Sequence, residues 1–231
     1  MKRSSLSFLA LVLALVINIT SNTAQTYASL RVGVNSGKWR TAVDGIKKYN
    51  DNSEFLIYPL FSLPIEFGIS KKWMFQVEPS FIQKGARIDY VLNSDIYNDC
   101  RLTVAYIELP MLAKLYFDEK KTRFHFFFGP SFGYATYGTI KRKGDFNVSL
   151  TKPPISEKID EKLSFETDQY PRSDMSIVVG FGNYLNYGGF DVRYVFGLRN
   201  LGIKGDGNAK YYNHGIQLSF VYCDAKSRKK E

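Results

Sequence analysis

Hydrophobic and polar residues alternate with a period of two along most of the chain that follows residue 25. Phe190 and Val192, for example, flank Asp191. This alternation is typical of a β-strand with one apolar and one polar face, and no segment has the longer period of an amphipathic helix. The pattern predicts eight strands of about 11–16 residues, longer than is usual. The predicted strands cover residues 26–36, 60–70, 73–87, 102–117, 123–138, 173–185, 189–199 and 211–222.

Short and long connections alternate between the predicted strands. The short ones are residues 71–72, 118–122 and 186–188, and the long ones are residues 37–59, 88–101, 139–172 and 200–210. Short turns at one rim and long loops at the other are typical of an outer-membrane barrel, whereas loops this long are rare in a compact soluble domain. The predicted fold is an all-β, eight-stranded antiparallel up-and-down transmembrane β-barrel.

The chemistry of the polar face indicates which side of the barrel points outward. A soluble barrel of the lipocalin type also alternates, but with its apolar face inside. Here the polar face mixes a few charges with small residues such as Gly129 and Gly180, which suit the crowded interior of eight strands. The other face is bulky, since the chain contains 18 Phe and 16 Tyr residues, and it suits lipid with aromatic girdles. These features favour the membrane barrel.

Four prolines fall within predicted strands, at positions 64, 79, 110 and 130. Each lacks a backbone N–H, and a closed barrel has no free edge at which the missing donor would be harmless. β-Bulges at some of these positions would accommodate part of the missing hydrogen bonds.

Projected inward, the polar face carries charges of both signs. An isolated buried charge is costly, so these side chains are expected to pair or to stay hydrated. Because side chains fill the interior of an eight-stranded barrel, we favour a plug of ion pairs that fixes strand register, with a narrow selective channel as the alternative. The predicted lumen charge network comprises Arg31, Glu66, Glu78, Lys84, Glu108, Lys114, Asp191 and Arg193. Arg199, His125 and Gln217 project to the same side.

Two glutamates of the predicted lumen charge network are expected to lie near cations of the same network on neighbouring strands. Glu78 and Glu108 should share the lumen with Lys84, Lys114 and Arg193. Replacing Glu108 by Ala would then leave a buried cation short of its partner, at a cost of about 3 kcal/mol.

The first residues have the composition of an export signal. Lys2 and Arg3 precede residues 6–17, which are apolar apart from Ser7, as in a secretory signal peptide. We place the cleavage site between Ala24 and Gln25; an uncleaved anchor is the alternative, which the short apolar core disfavours. The expected organisation is a signal peptide over 1–24, an outer-membrane barrel over 25–222 and a short basic periplasmic tail over 223–231.

Charge and motifs argue against several other classes of function. The formal net charge is +9, but the basic clusters at 141–143 and 228–230 lie in a predicted loop and in the tail, without a recognition helix, so we expect no nucleic-acid partner. Two cysteines are too few for a disulfide scaffold. The sequence has no CxxC motif and no His/Cys cluster, so we expect neither a metal nor a cofactor.

Catalysis has weak support in the sequence. His125 is expected near the short-turn rim and His214 near the long-loop rim, so the two cannot share a site. His214 and Asp206 offer a possible dyad, but any loop of this composition contains such a pair. We expect both histidines to lie at the membrane interface or to be hydrogen-bonded within the wall, and the protein not to be an enzyme.

Four segments resemble a known family. They are LRVGVN at 30–35, QVEPSFIQKGA at 76–86, YIELPMLAK at 106–114 and FGPSFG at 128–133. The chain resembles, over about residues 26–222, the outer-membrane β-barrel domain proteins abundant in Bacteroidetes, often labelled porin-family proteins, which include the PorT-type secretion components. The resemblance implies an integral outer-membrane barrel with no known catalytic residues.

These observations together predict a barrel that acts through its loops. The four long loops are expected to be extracellular, with the mixed charges of residues 139–172 forming a solvated surface or a protein-binding patch. The favoured function is a non-enzymatic barrel with a plugged lumen, embedded in outer-membrane lipid, which scaffolds or binds a protein partner, in a secretion or surface assembly. The alternative is a narrow solute or ion channel, and a barrel enzyme is a third possibility.

The two cysteines, Cys100 and Cys223, are predicted to lie at opposite ends of the barrel. An oxidising compartment favours a disulfide, but Cys100 falls in a long loop, whereas Cys223 follows a strand that runs down to the other rim. The apolar band between the rims is about 25 Å tall, and bridged Cα atoms lie within about 7 Å. Both thiols are therefore expected to be free in the monomer or paired with other molecules.

Overall fold

The computed structural model describes residues 26–43, 54–92, 95–117, 123–146, 155–163, 165, 170–185, 188–201 and 209–223. The predicted signal peptide, its cleavage site at Ala24 and Gln25, and residues 224–231 of the predicted tail lie outside the described residues. In the described part of the chain, no helix is long and apolar enough to cross a bilayer. The strands are β1 (Thr26–Val43), β2 (Leu56–Ser62), β3 (Ile65–Gly68), β4 (Trp73–Val77), β5 (Ser80–Leu92), β6 (Asp95–Tyr116), β7 (Arg123–Phe146), β8 (Ile155–Lys162), β9 (Ser173–Tyr184), β10 (Gly188–Gly197) and β11 (Ala209–Cys223).

The strands close into an antiparallel ring of eight, as the sequence predicted. Strands β2 and β3 act as one wall strand, and β4 and β5 as another, because each pair is consecutive in the chain and spans the same two neighbours. The ring closes where the first strand meets the last, with Val32 of β1 opposite Phe220 of β11. Closure leaves no unpaired edge in the wall, which is the condition for crossing a membrane with strands.

Two prolines explain why two wall strands are interrupted. Pro64 separates β2 from β3, and Pro79 separates β4 from β5. Their carbonyls still accept backbone hydrogen bonds, from Ser29 N at 2.9 Å and Leu63 N at 3.0 Å. The register shifts of the described strands lie elsewhere, as at Ala105 and Tyr106, so strand breaks rather than bulges accommodate these two prolines.

The outer wall is apolar, as the alternation predicted. Between Met175 and Phe181 of β9 every second residue is exposed, including Ile177 and Val179, whereas Val178 and Gly180 between them are buried. Exposed aromatic and aliphatic side chains on the other strands continue this surface around the barrel; they include Val32, Phe61, Phe81, Ile107, Phe128, Phe190 and Leu218. An apolar surface of this extent is costly in water and is matched by lipid.

One end of the barrel extends well beyond the predicted strands. Strand β7 has 24 residues, whereas a tilted strand needs about 9–11 to cross the hydrocarbon core. Residues 139–146 of β7 pair with β8, and β5 and β6 continue to Leu92 and Asp95. We call the four-stranded sheet formed by residues 87–92, 95–101, 139–146 and 155–162 the strand extension.

The strand extension corrects the predicted loops. Residues 37–59, 88–101 and 139–172 contain strand as well as connections, and β8 was not predicted at all. The reason is that sheet hydrogen bonds do not require an apolar face. Residues 141–145, with the sequence KRKGD, contain no apolar side chain, so the alternation on which the prediction depended is missing there.

Candidate functional site

The centre of the lumen holds a carboxylate clamped between two guanidinium groups. Glu78 Oε1 lies 2.8 Å from Arg31 Nη1, and Glu78 Oε2 lies 2.8 Å from Arg193 Nη1. The Ser62 hydroxyl donates a hydrogen bond to Oε1 at 2.7 Å, and the Gln76 amide donates one to Oε2 at 2.6 Å. Glu78 lies at the break between β4 and β5. This carboxylate therefore connects three walls of the barrel.

A second group of polar side chains lies toward the short-turn end. Lys114 Nζ is 2.9 Å from Glu66 Oε1, and both side chains are fully buried. The hydroxyl of Tyr184 lies 2.7 Å from the same ammonium, and Tyr116 donates to the second oxygen of Glu66 at 2.9 Å. The tyrosines provide the hydrogen bonds that a buried ion pair needs to offset its lost hydration.

Asp191 links this group to the centre. Its Oδ2 lies 3.0 Å from Arg193 Nη2, and its Oδ1 lies 3.1 Å from His125 Nε2. His125 is fully buried, and its ring lies 4.5 Å from that of Tyr184, centroid to centroid. The expectation that His125 lies near the short-turn end and is hydrogen-bonded within the wall agrees with this geometry.

A third group lies toward the long-loop end, around Lys84. Its ammonium contacts Glu108 and lies 2.9 Å from Asp174 Oδ2. Asn213 donates to the same oxygen of Asp174 at 3.1 Å and accepts a hydrogen bond from Trp39 Nε1 at 3.1 Å. Each buried carboxylate of the described residues thus contacts at least one cationic or histidine side chain, which is the usual condition for burying charge.

Apolar side chains fill the space that the charges leave. Leu112, Phe127, Val178 and Val195 pack together at mid-height. A larger cluster that includes Leu60, Ile82, Tyr106 and Leu201 lies around Lys84, and Tyr27, Met74, Tyr116, Tyr184 and Val221 form a third cluster. Beside the Glu78 clamp the structure leaves a cavity of about 10 Å³, room for about one water molecule. The ion pairs and the apolar clusters thus fill the described lumen at mid-height.

The eight residues of the predicted lumen network all lie inside the barrel, each at most 4% exposed. Their pairing differs in part from the expectation. Glu108 contacts Lys84 and Glu78 contacts Arg193, but Lys114 contacts Glu66 rather than either of those glutamates. Arg199, which was expected in the lumen, is exposed beyond the end of β10, so that expectation is wrong.

Sequence reasoning missed Asp174, which is 3% exposed and contacts Lys84. A signal was present, because Asp174 has the same parity in β9 as Gly180, which the sequence assigned to the polar face. It also missed the hydroxyl pair of Tyr106 and Tyr170, whose oxygens lie 3.0 Å apart. Tyr170 lies in the segment predicted as a loop, where no periodicity marks it.

The described residues hold no group of three His, Cys, Asp or Glu side chains arranged for a metal ion. His214 lies toward the long-loop end of β11, where its Nδ1 is 2.9 Å from the Tyr194 hydroxyl. His125 is at the short-turn end of β7, opposite Tyr116. The two histidines therefore lie at opposite ends of the barrel, as expected. The proposed dyad partner Asp206 lies outside the described residues.

This combination of a closed eight-strand ring, an apolar outer wall and a charged, packed interior defines an outer-membrane β-barrel. The chain belongs to the outer membrane protein beta-barrel domain family, whose sequence model matches residues 22–202. The protein is accordingly located in the outer membrane. No curated protein matches the sequence.

Several solved outer-membrane barrels are similar in structure. Ail, the attachment invasion locus protein of Yersinia pestis, is 15% identical with a TM-score of 0.39, over 86% of this chain and 99% of that one. Neisserial surface protein A is 8% identical with a TM-score of 0.40, over 84% and 96%. The outer membrane protease OmpT from Escherichia coli is 11% identical with a TM-score of 0.29, over 87% and 97%.

Proposed function

We propose that this outer-membrane barrel is a non-enzymatic protein with a closed lumen, which binds a protein partner through its strand extension. The buried ion pairs support the first part. Opening a path through the centre would separate Glu78 from Arg31 or Arg193, each 2.8 Å away. An uncompensated buried charge costs about 3–5 kcal/mol, so the lumen serves as a structural core.

The binding role is inferred from the free edge of the strand extension. Among the described strands, β8 pairs with β7 alone, so its other edge presents backbone N–H and C=O groups without a strand partner. An extended segment of another protein can add to such an edge by β-augmentation. Exposed charged side chains, such as Asp160, Glu161 and Lys162, limit unspecific pairing of the edge.

The short turns, by analogy with outer-membrane barrels in general, face the periplasm, and the strand extension faces the outside. We propose that the partner belongs to a secretion or surface assembly, as the sequence resemblance to the PorT-type components of Bacteroidetes implies. The polar rim favours a protein partner over a small molecule, since Lys141 and Asp160 form an exposed ion pair at 2.8 Å across β7 and β8 and no described cavity of the extension offers an enclosed site.

Site-specific photo-cross-linking in intact outer membranes tests the binding role. A photoreactive amino acid at Glu161, on the β8 edge, should give one discrete protein adduct. The same amino acid at Lys71, exposed in the short turn at the opposite end, is the matched control and should not give that adduct. The absence of an adduct from position 161, or the same adduct from both positions, would contradict the proposal.

A further inference from the structure

A second feature of the outer wall lies away from both the lumen and the strand extension. At the long-loop end of β1, Lys38 and Arg40 point outward, because Trp39 between them is buried. Their direct neighbours across the ring closure are His214 and Tyr212 of β11. We call the group formed by these side chains and their ring partners the cation–aromatic patch. It comprises Lys38, Arg40, Phe55, Tyr194, Phe196, Tyr212 and His214.

Both cations of the cation–aromatic patch lie over aromatic rings. Arg40 Cζ is 4.2 Å from the ring centroid of Phe196 and 5.0 Å from that of Tyr212, and Lys38 Nζ is 4.9 Å from that of Phe55. A stacked guanidinium is held by one face while its N–H groups remain directed outward in the plane. The rings thus orient the charges without occupying their hydrogen-bond donors.

Acidic side chains do not neutralise this positive charge. In the described part of the chain, neither Lys38 nor Arg40 forms an ion pair, whereas Arg87 lies 2.8 Å from Glu54 at the same end of the barrel. The outward positions of the adjoining strands β1, β2, β10 and β11 carry no Asp or Glu among the described residues. The Nε2 atom of His214 is also buried without a hydrogen-bond partner in the described structure, so the patch contains an unused polar atom.

The patch lies at the upper boundary of the lipid-facing surface. Toward the short-turn end, beyond Ser36 of β1, the outward positions are apolar and exposed, as at Val32 and Val34 of β1 and at Ile216 and Leu218 of β11. Acyl chains therefore cover the wall up to this level, and the headgroups begin where the aromatic side chains and the cations stand.

We infer that the cation–aromatic patch binds the phosphate group of an outer-leaflet lipid headgroup. A phosphate supplies the negative charge that the patch lacks, and Arg40 presents the planar donor pair that bonds two phosphate oxygens. Lys38, two residues closer to the apolar belt along β1, adds a point charge, and the exposed rings pack against the lipid. The inference depends on the outer-membrane location and not on the closed lumen or the protein partner.

Native mass spectrometry of the purified barrel in mild detergent tests this site. The probe is bisphosphorylated lipid A, compared with the same lipid after its phosphates have been removed. The native protein should retain the bisphosphorylated lipid at least about tenfold better than the dephosphorylated lipid, since charge-assisted hydrogen bonds distinguish them. The double variant Lys38→Gln, Arg40→Gln should lose that preference by a similar factor.

The matched control is Lys71→Gln, Lys72→Gln, which removes the same formal charge from the exposed turn at the opposite end. It should retain the bisphosphorylated lipid as the native protein does. Equal retention of the two lipids by the native protein, or equal losses in both double variants, would overturn the inference, because unspecific attraction would then suffice. Displacement of the lipid by millimolar inorganic phosphate would also overturn it, since the site would then select a free anion. Heat-modifiable mobility on gels verifies that each variant is folded.

Discussion

Glu78 and Arg193 come from opposite halves of the chain, and their side chains meet in the lumen with Oε2 and Nη1 2.8 Å apart. The second oxygen of Glu78 is held by Arg31 at the same distance. The carboxylate lies next to Pro79, where the wall strand is interrupted between β4 and β5. The ion pairs thus connect three walls of the barrel beside this interruption.

The first prediction concerns Glu78 itself. Glu78→Ala would leave two guanidinium groups buried without their shared partner, and we expect the free energy of unfolding to fall by about 3–5 kcal/mol. Urea unfolding of the barrel in liposomes measures this. Glu54→Ala is the control, because it removes an exposed ion pair with Arg87 and should cost less than about 1 kcal/mol. Similar small effects of both variants would refute a bracing role.

The second prediction concerns the two carboxylates at Lys84. Because Asp174 lies 2.9 Å from the ammonium that also contacts Glu108, either acid can compensate in part for loss of the other. The cost of Glu108→Gln should therefore be about 1–2 kcal/mol, below the value expected from sequence for loss of a single partner, and Asp174→Asn should cost about the same.

The double variant Glu108→Gln, Asp174→Asn should cost at least about 1 kcal/mol more than the sum of the single variants, because Lys84 then has no carboxylate in contact. A double-mutant cycle from denaturant unfolding measures this coupling. Additive costs would show that the ammonium does not depend on the pair.

These residues also show what the sequence could and could not predict. Alternation with period two assigned Arg31, Glu78 and Arg193 to the lumen correctly, because in a strand parity alone determines the face. It could not assign partners, since pairing across the lumen depends on how far each strand is shifted along its neighbours. Lys114 was accordingly expected with Glu78 or Glu108, whereas the register brings it to Glu66.

The strand extension shows a different limit. Alternation located the part of β7 that faces lipid but not its last residues, nor β8, because residues 141–145 (KRKGD) and 155–162 (ISEKIDEK) do not alternate between apolar and polar. Backbone hydrogen bonds hold this sheet together: Leu163 N, for example, donates to Gly138 O at 2.9 Å where β8 ends against β7. Such bonds cannot be detected in the hydropathy of the sequence. The segment most relevant to partner binding was for this reason predicted as a loop.

The third prediction concerns the cysteines. Cys100 pairs with Ile88 near the long-loop end of β6, whereas Cys223 pairs with Ser29 near the short-turn end of β1. The register thus places their backbones at opposite ends of the wall, too far apart for a bond that needs Cα atoms within about 7 Å. Mass spectrometry of the unreduced monomer should detect no peptide joining them. Such a peptide would contradict the register and the sidedness derived from it.

The fourth prediction concerns the close packing around Gly180. A Cβ atom at this position would lie 2.5 Å from Phe127 Cζ and 2.5 Å from the Val192 carbonyl oxygen. Gly180→Ala should therefore displace Phe127, over whose ring Arg193 lies at 4.8 Å, and cost about 1–3 kcal/mol.

Gly37→Ala is the matched control, because its nearest contact would be an ordinary 3.4 Å to Asn35 Nδ2. We expect the stability of this variant to change by less than about 1 kcal/mol in either direction. The midpoint of heat-modifiable mobility on gels compares the two glycine variants. Equal midpoints would show that the lumen beside Phe127 is looser than the structure indicates.

The conductance of single barrels in a planar lipid bilayer distinguishes a closed lumen from a channel. The buried clamp of Arg31, Glu78 and Arg193, together with the packed cluster around Phe127, leaves room for about one water molecule beside it. We expect inserted native protein, verified by its heat-modifiable mobility, to give no stepwise current at either polarity in molar potassium chloride. Reproducible current steps with ion selectivity would contradict it and establish the channel instead.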